Sequence, residues 1–442
     1  MLSSARRTKD QRADVIVVGS GLAGLSAAHR IAEAGLSVAV LEASGRPGGR
    51  MVTDQVDGFL LDRSGRLLTT GSMELTRHAG LSSLVLRPFS AGVLVRSGGR
   101  SRRMPELRST RGALTTVRAL AHAARAPRSD ALDQARLTAA LNRLAGTPTG
   151  RTLARPERSA AEALSSRGLP ARTVDGFLRP LLAALLGDPE LTTSSHCADL
   201  ALRGYARGRL CLPAGGASAL PDLLAAALPP DTVCTGVRAV SAATTSVTTA
   251  DHGVLGCRAV VVATDARSAS ELLPGLRVPD FHPATVLHHT AEAAPTEEPA
   301  LFLDADRRGP VSHTAVVSAT DPSRTPPGRP LITSTVLGPV SAEPIGVLDK
   351  AARRQLAELY GTCTEDWELI GAHHDPEAVP AMPAPHDFQR PVRLLSGLYV
   401  CGDHRDTSSV EGALISGRRA ADALLGDFGL AAAPSAPAAA AA

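Results

Sequence analysis

Three glycines near the start of the chain, Gly19, Gly21 and Gly24, have the spacing G-x-G-x-x-G, and Glu42 stands at the end of the next apolar run. Glycines at this spacing allow a tight turn, a close approach of the backbone to a pyrophosphate, and close packing of a helix on a sheet. A carboxylate at the position of Glu42 accepts hydrogen bonds from the hydroxyls of an adenosine ribose and disfavours a 2′-phosphate. The pattern therefore predicts a dinucleotide site. Three further residues of the loop belong to it: Ser20, Leu22 and Ala23.

A second loop follows Glu42 directly, at residues 43–50 (ASGRPGGR). NAD and FAD share the glycine pattern, so the choice between them depends on such neighbouring residues. Two arginines around a glycine pair predict a loop that faces phosphate and flavin. A solvated basic turn would explain Arg46 alone, but it would leave the rest of the string unexplained. The predicted contacts in this loop are Ala43, Arg46, Gly49 and Arg50.

A parallel sheet is predicted around the glycine loop. Residues 14–18 (DVIVV) form a continuous apolar run with the length of a buried parallel strand. Residues 22–34 carry apolar side chains at helical spacing, and residues 37–42 (SVAVLE) form the next strand, which completes a βαβ unit. Further segments of the same sheet are predicted at residues 232–240, 259–264 and 397–402, with a helix from about 410 to 425.

Composition excludes several classes of function. The chain of 442 residues has a net charge of +4 and only 2% aromatic residues, whereas a nucleic-acid surface needs clustered basic residues with stacking aromatics. The six cysteines are scattered without a C-x-x-C pair, which argues against a zinc or disulfide framework and indicates a reducing cytoplasm. No stretch is long and apolar enough to span a bilayer, which leaves contact with a membrane surface open. We expect a cytoplasmic protein that takes a small-molecule substrate, without metal or nucleic acid, and its oligomeric state is undecided.

The string E-A-x-x-R-x-G-G-R-x-x-T at residues 42–53 resembles the flavin amine oxidase superfamily, which includes monoamine oxidases, protoporphyrinogen oxidase and phytoene desaturases. The resemblance continues at residues 58–65 (GFLLDRSG), 261–265 and 397–421. It implies FAD as the cofactor. The FAD is expected to be bound non-covalently, because no cysteine lies at the position where the family's covalent flavin thioether forms. The resemblance also implies backbone contacts of Gly65 with the isoalloxazine and of Val237 with adenine.

The C-terminal part of this resemblance also has a physical rationale. Asp403 ends a strand, so its carboxylate is expected to be free to accept hydrogen bonds from ribityl hydroxyls. The helix that begins near Val410 would direct its positive end to the N1–C2=O edge of the flavin, where reduced flavin carries negative charge. Two interpretations of His404 stay open: an acid or base near the flavin edge, or a loop histidine with a purely structural hydrogen bond.

The chain departs from the superfamily's amine oxidases where those enzymes hold the amine between two aromatic rings. Ser409 occupies one of these positions, and residues 378–382 (AVPAM) offer no aromatic for the other. Lys350, the only candidate for the family's lysine near flavin N5, lies on the polar face of a predicted helix. Three segments instead resemble the phytoene desaturase-like branch: residues 177–181, 188–195 and 213–221.

These resemblances imply a FAD-dependent oxidoreductase of the desaturase or oxidase type. It would transfer hydride from a small, apolar or polycyclic substrate to flavin N5. Two alternatives stay open: an amine or amino-acid oxidase of the same fold, and a flavin-binding protein without net redox turnover, such as an isomerase or a partner subunit. No catalytic residue is assigned.

The predicted fold class is α/β, with a Rossmann-type FAD-binding domain on a discontinuous parallel sheet and a second substrate domain of mixed helix and sheet. The FAD-binding domain is predicted at residues 13–89, 211–274 and 386–430, and the substrate domain at 90–210 and 275–385. Residues 1–12 are predicted to be a disordered leader and residues 431–442 a disordered Ala/Pro tail. Elements predicted in the substrate domain are helices at residues 114–124, 131–144, 160–166 and 348–360 and a strand at 331–337.

Overall fold

The structure is a computed structural model that describes residues 13–104 and 128–430. The predicted leader (1–12), the predicted tail (431–442) and the helix predicted at 114–124 lie outside the described residues. The strands, in chain order, are β1 Val15–Val18, β2 Val38–Glu42, β3 Thr53–Val56, β4 Phe59–Asp62, β5 Leu68–Thr69, β6 Leu86–Pro88, β7 Val93–Ser97, β8 Arg100–Met104, β9 Leu210–Pro213, β10 Val233–Thr235, β11 Ala239–Ala242, β12 Ser246–Thr249, β13 Gly253–Gly256, β14 Ala259–Val262, β15 Phe281–Thr290, β16 Phe302–Asp304, β17 Val311–Val316, β18 Ile332–Leu337, β19 Glu368–Pro380, β20 Arg393–Leu395 and β21 Leu398–Val400. The helices are α1 Leu22–Glu33, α2 Met73–Arg77, α3 Arg128–Gly146, α4 Thr149–Leu153, α5 Ala160–Ser165, α6 Ala171–Thr173, α7 Arg179–Leu186, α8 Ser195–Arg207, α9 Ala219–Ala226, α10 Ala266–Leu272, α11 Val317–Thr320, α12 Ile345–Tyr360 and α13 Val410–Asp427.

The first sheet has six strands in the order β10-β2-β1-β14-β21-β20. Strand β1 pairs in parallel with β2 and β14. Every residue of β1 and of β14 is buried, because helices and loops cover both faces of such a sheet, and this explains the continuous apolar runs. The predicted α/β class with a discontinuous parallel sheet is confirmed. One difference is the edge strand β20, which runs antiparallel to β21.

Helices α1 and α13 pack against each other beside the first sheet. They approach most closely at Gly417, where an added Cβ would lie 2.1 Å from the carbonyl oxygen of Ala23. Only glycine allows this distance. Residues at the beginning of both helices, Leu22 and Val410, line the same cavity.

The single strand predicted at residues 232–240 is wrong, because the structure has two strands there, β10 and β11. Gly236 separates them with a φ of 74°, in the left-handed region that favours glycine. The N–H of Gly236 donates to the carbonyl of Ser44 at 2.9 Å, and the N–H of Val237 donates to the carbonyl of Glu42 at 2.8 Å. The break therefore brings Val237 to the carboxyl end of β2.

The second sheet has seven strands in the order β19-β15-β18-β17-β16-β7-β8. Its pairs are antiparallel except for β16 and β7. Helix α12 contributes Leu348, Ala352 and Leu356 to a core that also contains Trp367. The strand predicted at 331–337 and the helix predicted at 348–360 are confirmed as β18 and α12, although α12 begins at Ile345. Helices α3 and α5 likewise confirm the helices predicted at 131–144 and 160–166.

A buried arginine, Arg324, fixes β4 to the loop after α11. Its side chain is 2% exposed. It donates to Asp62 at 2.5 Å and to the carbonyl of Pro213 at 2.7 Å, and it also pairs with Asp321. A buried guanidinium needs such partners. The cluster therefore anchors the end of β4, which leads directly into the segment that contains Gly65.

Candidate active site

A cavity of about 520 Å³ lies at the carboxyl ends of β1, β2, β14 and β21, and we call it the long cavity. Open α/β sheets bind their ligands at this edge. Eleven of the fifteen predicted site residues line it: Gly19, Gly21, Leu22, Ala23, Glu42, Ala43, Gly49, Arg50, Val237, Asp403 and Val410.

Glycines form the floor of the long cavity. A Cβ added to Gly49 would lie 3.4 Å from the Cα of Gly21, whereas a Cβ added to Gly21 would meet no protein atom within 4 Å. Gly21 is the N-cap of α1, and no side chain caps this helix end. The free N–H groups of the first turn and the positive end of the helix dipole suit an anion such as a pyrophosphate.

Glu42 marks one end of the long cavity, and protein donors hold its carboxylate. One oxygen accepts from the N–H and the hydroxyl of Ser20 at 2.9 and 2.6 Å, and the other accepts from the N–H of Ser44 at 2.8 Å. Burial alone would raise the pKa of Glu42, but these hydrogen bonds outweigh burial and lower it. The carboxylate is therefore charged at neutral pH. A carboxylate can accept roughly four hydrogen bonds. Because Glu42 already accepts three from the protein, about one position is left for a ligand.

Arg50 and Asp403 meet at the other end of the long cavity, with Nη2 and Oδ1 2.6 Å apart. The expectation of a free Asp403 carboxylate is therefore corrected, because one of its oxygens already binds a guanidinium. The physical reason is that Asp403 is only 7% exposed, and a buried carboxylate stays charged only with a countercharge or donors. Arg50 also donates to the carbonyl of Ala378 at 3.0 Å.

Four predicted site residues do not line the long cavity: Ser20, Gly24, Arg46 and Gly65. Ser20 is fully buried beneath the loop. Gly24 faces the strand, because a Cβ there would lie 2.0 Å from the carbonyl oxygen of Gly19. Arg46 points away from the cavity and pairs with Asp54 at 2.5 Å. Asp54 lies on the neighbouring strand β3. In this structure, Arg46 therefore fits the alternative given in the sequence analysis, a basic turn that faces solvent.

Gly65 lines a smaller cavity of about 110 Å³, which we call the inner chamber. A Cβ on Gly65 would lie 2.4 Å from the hydroxyl of Thr335. His313, the cross-strand partner of Thr335, also lines the chamber, and its Nδ1 has no partner among the described residues. Burial lowers the pKa of His313 to about 4, so its ring is neutral at pH 7. The long cavity and the inner chamber share four lining residues: Gly49, Arg50, Ser64 and Arg66.

The sequence profile described as flavin containing amine oxidoreductase matches residues 22–425 of the chain. The chain belongs to this family. The predicted FAD cofactor and the predicted oxidoreductase class are thereby confirmed.

Relatives of two kinds match the chain. Hydroxysqualene dehydroxylase from Rhodopseudomonas palustris is 26% identical over 446 aligned positions, which cover 93% of this chain and 98% of that protein. Putrescine oxidase from Kocuria rosea is 48% identical over 62 residues, 14% of this chain and 13% of that protein. Local matches of this kind cover between 6% and 18% of the relatives' own lengths. Among solved structures, an oxidoreductase from Methanosarcina mazei superimposes with a TM-score of 0.70 at 17% identity, over 92% of this chain and 99% of that one, a likeness of fold.

A third cavity, of about 380 Å³, adjoins the long cavity and shares Ser409 and Val410 with it. We call it the apolar cavity, because apolar atoms contribute most of its lining surface. Among the described residues that line this cavity, the pair of aromatic rings expected in amine oxidases of the family is not found. The hydroxyl of Ser409 caps α13 by accepting from the N–H of Gly412 at 3.0 Å, and Phe388 is the one aromatic side chain among the described lining residues.

His404 fits neither interpretation left open by the sequence. Its ring is buried against Gly402, it lines none of the three cavities, and neither ring nitrogen has a partner among the described residues. Burial lowers its pKa to about 4.

Sequence reasoning missed Arg66, which lines two cavities. An arginine directly after the flavin-motif glycine Gly65 was the one signal that pointed to it.

Within residues 13–104 and 128–430, none of the helices combines the length and hydropathy that a membrane span requires. The same residues contain no group of three or more His, Cys, Asp or Glu side chains that could hold a metal ion. All six cysteines lie within the described residues, and none of them forms a disulfide bond.

Proposed function

We propose that the protein oxidises an apolar organic substrate by hydride transfer to FAD. The observation that carries this proposal is the apolar cavity, which meets the long cavity at Ser409 and Val410. A reacting carbon in one cavity and a flavin in the other would meet at that junction. Ligand sites of this size are mostly apolar with a few placed polar groups.

The long cavity suits FAD as an extended ligand. The ribose of the adenosine would bind Glu42, and adenine would lie beside Val237. The uncapped N-terminus of α1 would hold the pyrophosphate above Gly21 and Gly49, where the backbone leaves room. The isoalloxazine would then lie toward the end that Asp403 occupies. These assignments follow the order of the strands whose carboxyl ends line the cavity, from β2, which ends at Glu42, to β21, which precedes Asp403.

Bound FAD would supply the hydride acceptor, and oxygen or another acceptor would reoxidise it. The chain supplies position and exclusion of water. Leu186 and Met382 are buried in the wall of the apolar cavity, and such side chains favour a substrate with a hydrocarbon-like body. The same lining contains six charged residues: Glu74, Arg77, Arg203, Arg207, Asp406 and Glu411. The full-length relative is named for hydroxysqualene, which supports a substrate with a hydrocarbon-like body. Six cysteines without a disulfide bond support a place in the reducing cytoplasm.

Anaerobic flavin spectroscopy tests the proposal. Purified holoenzyme is mixed with squalene, a carotenoid, a porphyrinogen, a polycyclic hydrocarbon and putrescine in separate cuvettes. We expect an apolar compound to bleach the oxidised flavin and putrescine to leave it unchanged. A parallel arm adds hydroxysqualene to reduced enzyme and follows reoxidation. Bleaching by putrescine alone would establish the amine oxidase alternative, and no reaction in either arm would favour a redox-neutral role.

A variant that fills the apolar cavity tests where the substrate binds. Ala201 lies on α8 and lines this cavity, so Ala201→Phe should raise the KM for the apolar substrate at least ten-fold while FAD occupancy stays full. Ala226→Phe is the matched control, because Ala226 is exposed on α9. Equal KM values in the two variants would remove the apolar cavity from the proposal.

A further inference from the structure

Arg66 lines both the long cavity and the inner chamber, so it lies where the two meet. Its guanidinium donates to the carbonyls of Ser408 at 2.8 Å and of Ala378 at 3.1 Å. In the part of the chain that the structure describes, no carboxylate lies within ion-pair distance of it. Bonds to neutral carbonyls occupy one donor on each terminal nitrogen of Arg66, but they leave its charge without a countercharge within ion-pair distance among the described residues.

Arg50 is the useful comparison, because it binds the same carbonyl of Ala378 but also has Asp403 as a partner. For Arg66, burial and then the charge of Arg50 lower the pKa to about 10, and the more distant Asp403 and Asp375 only partly offset them. Burial disfavours any charged group, but the positive charges of Arg50 and Arg66 at this place favour a nearby anion.

The beginning of α13 adds to this positive potential. Ser408, whose carbonyl Arg66 binds, directly precedes Ser409, the N-cap of α13. A helix N-terminus carries roughly half a positive charge. Val410, the first residue of α13, lines the long cavity together with Arg66. A guanidinium and a helix N-terminus therefore act on the same end of the long cavity, where the proposed function places the isoalloxazine.

We infer that Arg66 stabilises the negative charge that the flavin acquires on reduction, and that it thereby raises the flavin's reduction potential. The inference rests on the proposed function. In the hydride step, a substrate C–H bond breaks and the N5–H bond forms. The substrate loses two electrons and releases a further proton to solvent, while the flavin gains one negative charge. Electrostatic stabilisation at a preorganised charge favours this charged product over the neutral oxidised form.

A carboxylate on a substrate is the other anion that the same guanidinium could bind. The two possible anions, the reduced flavin and a substrate carboxylate, predict different effects when the charge of Arg66 is removed. Loss of a substrate-binding charge raises KM and leaves the flavin potential unchanged, whereas loss of a flavin-stabilising charge lowers the potential in the absence of any substrate.

The test measures the reduction potential of the substrate-free holoenzyme against reference dyes. In Arg66→Gln we expect the equilibrium constant for reduction to fall about ten-fold, which corresponds to about 30 mV for a two-electron couple. Arg66→Lys keeps the charge and should recover at least half of that loss. Arg354→Gln is the control, because Arg354 is exposed on α12, and its potential should equal that of the wild type.

Weak FAD binding in Arg66→Gln would not prevent the measurement. The affinities of the apoprotein for oxidised and for reduced FAD give the same potential shift through a thermodynamic cycle. We expect reduced FAD to lose about ten-fold more affinity than oxidised FAD. Equal losses for both forms, or an unchanged potential with a raised KM, would overturn the inference. Failure of the proposed function is distinguishable, since the wild type would then bind FAD without being reduced by any apolar compound.

Discussion

Asp403 accepts a hydrogen bond of 2.6 Å from Arg50, although the two residues are 353 positions apart in the chain. Burial alone would raise the pKa of Asp403, but the charge of Arg50 and this hydrogen bond outweigh burial and lower it from its ordinary value of 3.8. The carboxylate is therefore charged at neutral pH. The contact joins the loop after β2 to the turn before α13, so each side chain supplies the countercharge that the other needs.

Replacement of Asp403 by asparagine should weaken FAD binding and slow reduction. Loss of a charged hydrogen bond costs about 1.5–3 kcal/mol, which corresponds to a rise in the Kd for FAD of roughly 10- to 150-fold. The rate of anaerobic flavin reduction at full FAD occupancy should fall further, because misplacement of a hydride acceptor by about 1 Å can cost ~100-fold. Asp422→Asn, at a partly exposed ion pair with Arg30, is the control. Unchanged affinity and rate in Asp403→Asn would show that the pair has no part in holding the cofactor.

Gly21→Val should abolish FAD retention without unfolding the protein. A Cβ added to Gly21 meets no protein atom within 4 Å, and the residue's φ of −69° suits any amino acid. The apoprotein should therefore lose about 1 kcal/mol of stability or less, while the side chain occupies the position proposed for the pyrophosphate. Flavin absorbance after gel filtration reports FAD retention, and urea unfolding reports the stability of the apoprotein. Gly346→Val serves as the control, because a Cβ there also meets no atom within 4 Å and the residue lies outside the three cavities. Full flavin content in Gly21→Val would place the pyrophosphate elsewhere.

Two glycines of α13 should respond in opposite ways to alanine. Gly417→Ala places a Cβ 2.1 Å from the Ala23 carbonyl, so α1 and α13 must separate, at a cost of about 1–3 kcal/mol. Gly426→Ala meets no atom within 4 Å and should stabilise the protein by about 0.4–1 kcal/mol through the unfolded state. Urea midpoints of the two variants provide the comparison. Equal midpoints would mean that the helix crossing is not the tight contact described above.

Acid should destabilise the protein between about pH 6.5 and pH 4. Burial lowers the pKa of four histidines from 6.5 to about 4: His78, His288, His313 and His404. The unfolded chain then binds more protons than the native protein in this window, so stability rises with pH up to about 6.5 and is flat above it. Each histidine should contribute on the order of 1 kcal/mol between pH 7.5 and pH 5.5.

A phenylalanine in place of His404 isolates one of these contributions. The free energy of unfolding is measured in urea at about pH 7.5 and at about pH 5.5. Its decrease between these two pH values should be about 1 kcal/mol smaller in His404→Phe than in the wild type. His252→Phe, on the exposed turn between β12 and β13, is the control. Identical pH dependence in wild type and His404→Phe would indicate that the native ring is protonated in acid.

The elements that the sequence predicted correctly are those encoded by neighbouring residues. The apolar run of β1, the glycine loop and Glu42 lie within about thirty residues, and local spacing alone determines them. Val237 was placed through family resemblance, but the strand around it was drawn too long. The break at Gly236 depends on its hydrogen bond to Ser44, a contact between distant segments that a local pattern does not contain.

Charge partners were the least predictable part of the site. Nothing near Asp403 in the sequence indicates that Arg50 would bind it, and nothing near Arg46 indicates that Asp54 would turn it away from the cavity. Arg66 was missed for the same reason. Its importance comes from the absence of a carboxylate partner among the described residues, and such an environment becomes visible only after the fold brings distant chain segments together.

The order of strands in the first sheet has a consequence for the newly made protein. Strand β14 pairs with β1 on one side and with β21 on the other, and β21 ends at Val400. At synthesis rates of roughly 5–20 residues per second, about 20–80 s pass between the emergence of β1 and that of β21. During this interval the nascent chain exposes apolar strand edges and lacks Asp403 and the beginning of α13. A complete FAD site therefore forms only when translation is nearly finished, and a ribosome stalled before that point would hold a chain whose site lacks Asp403 and the beginning of α13.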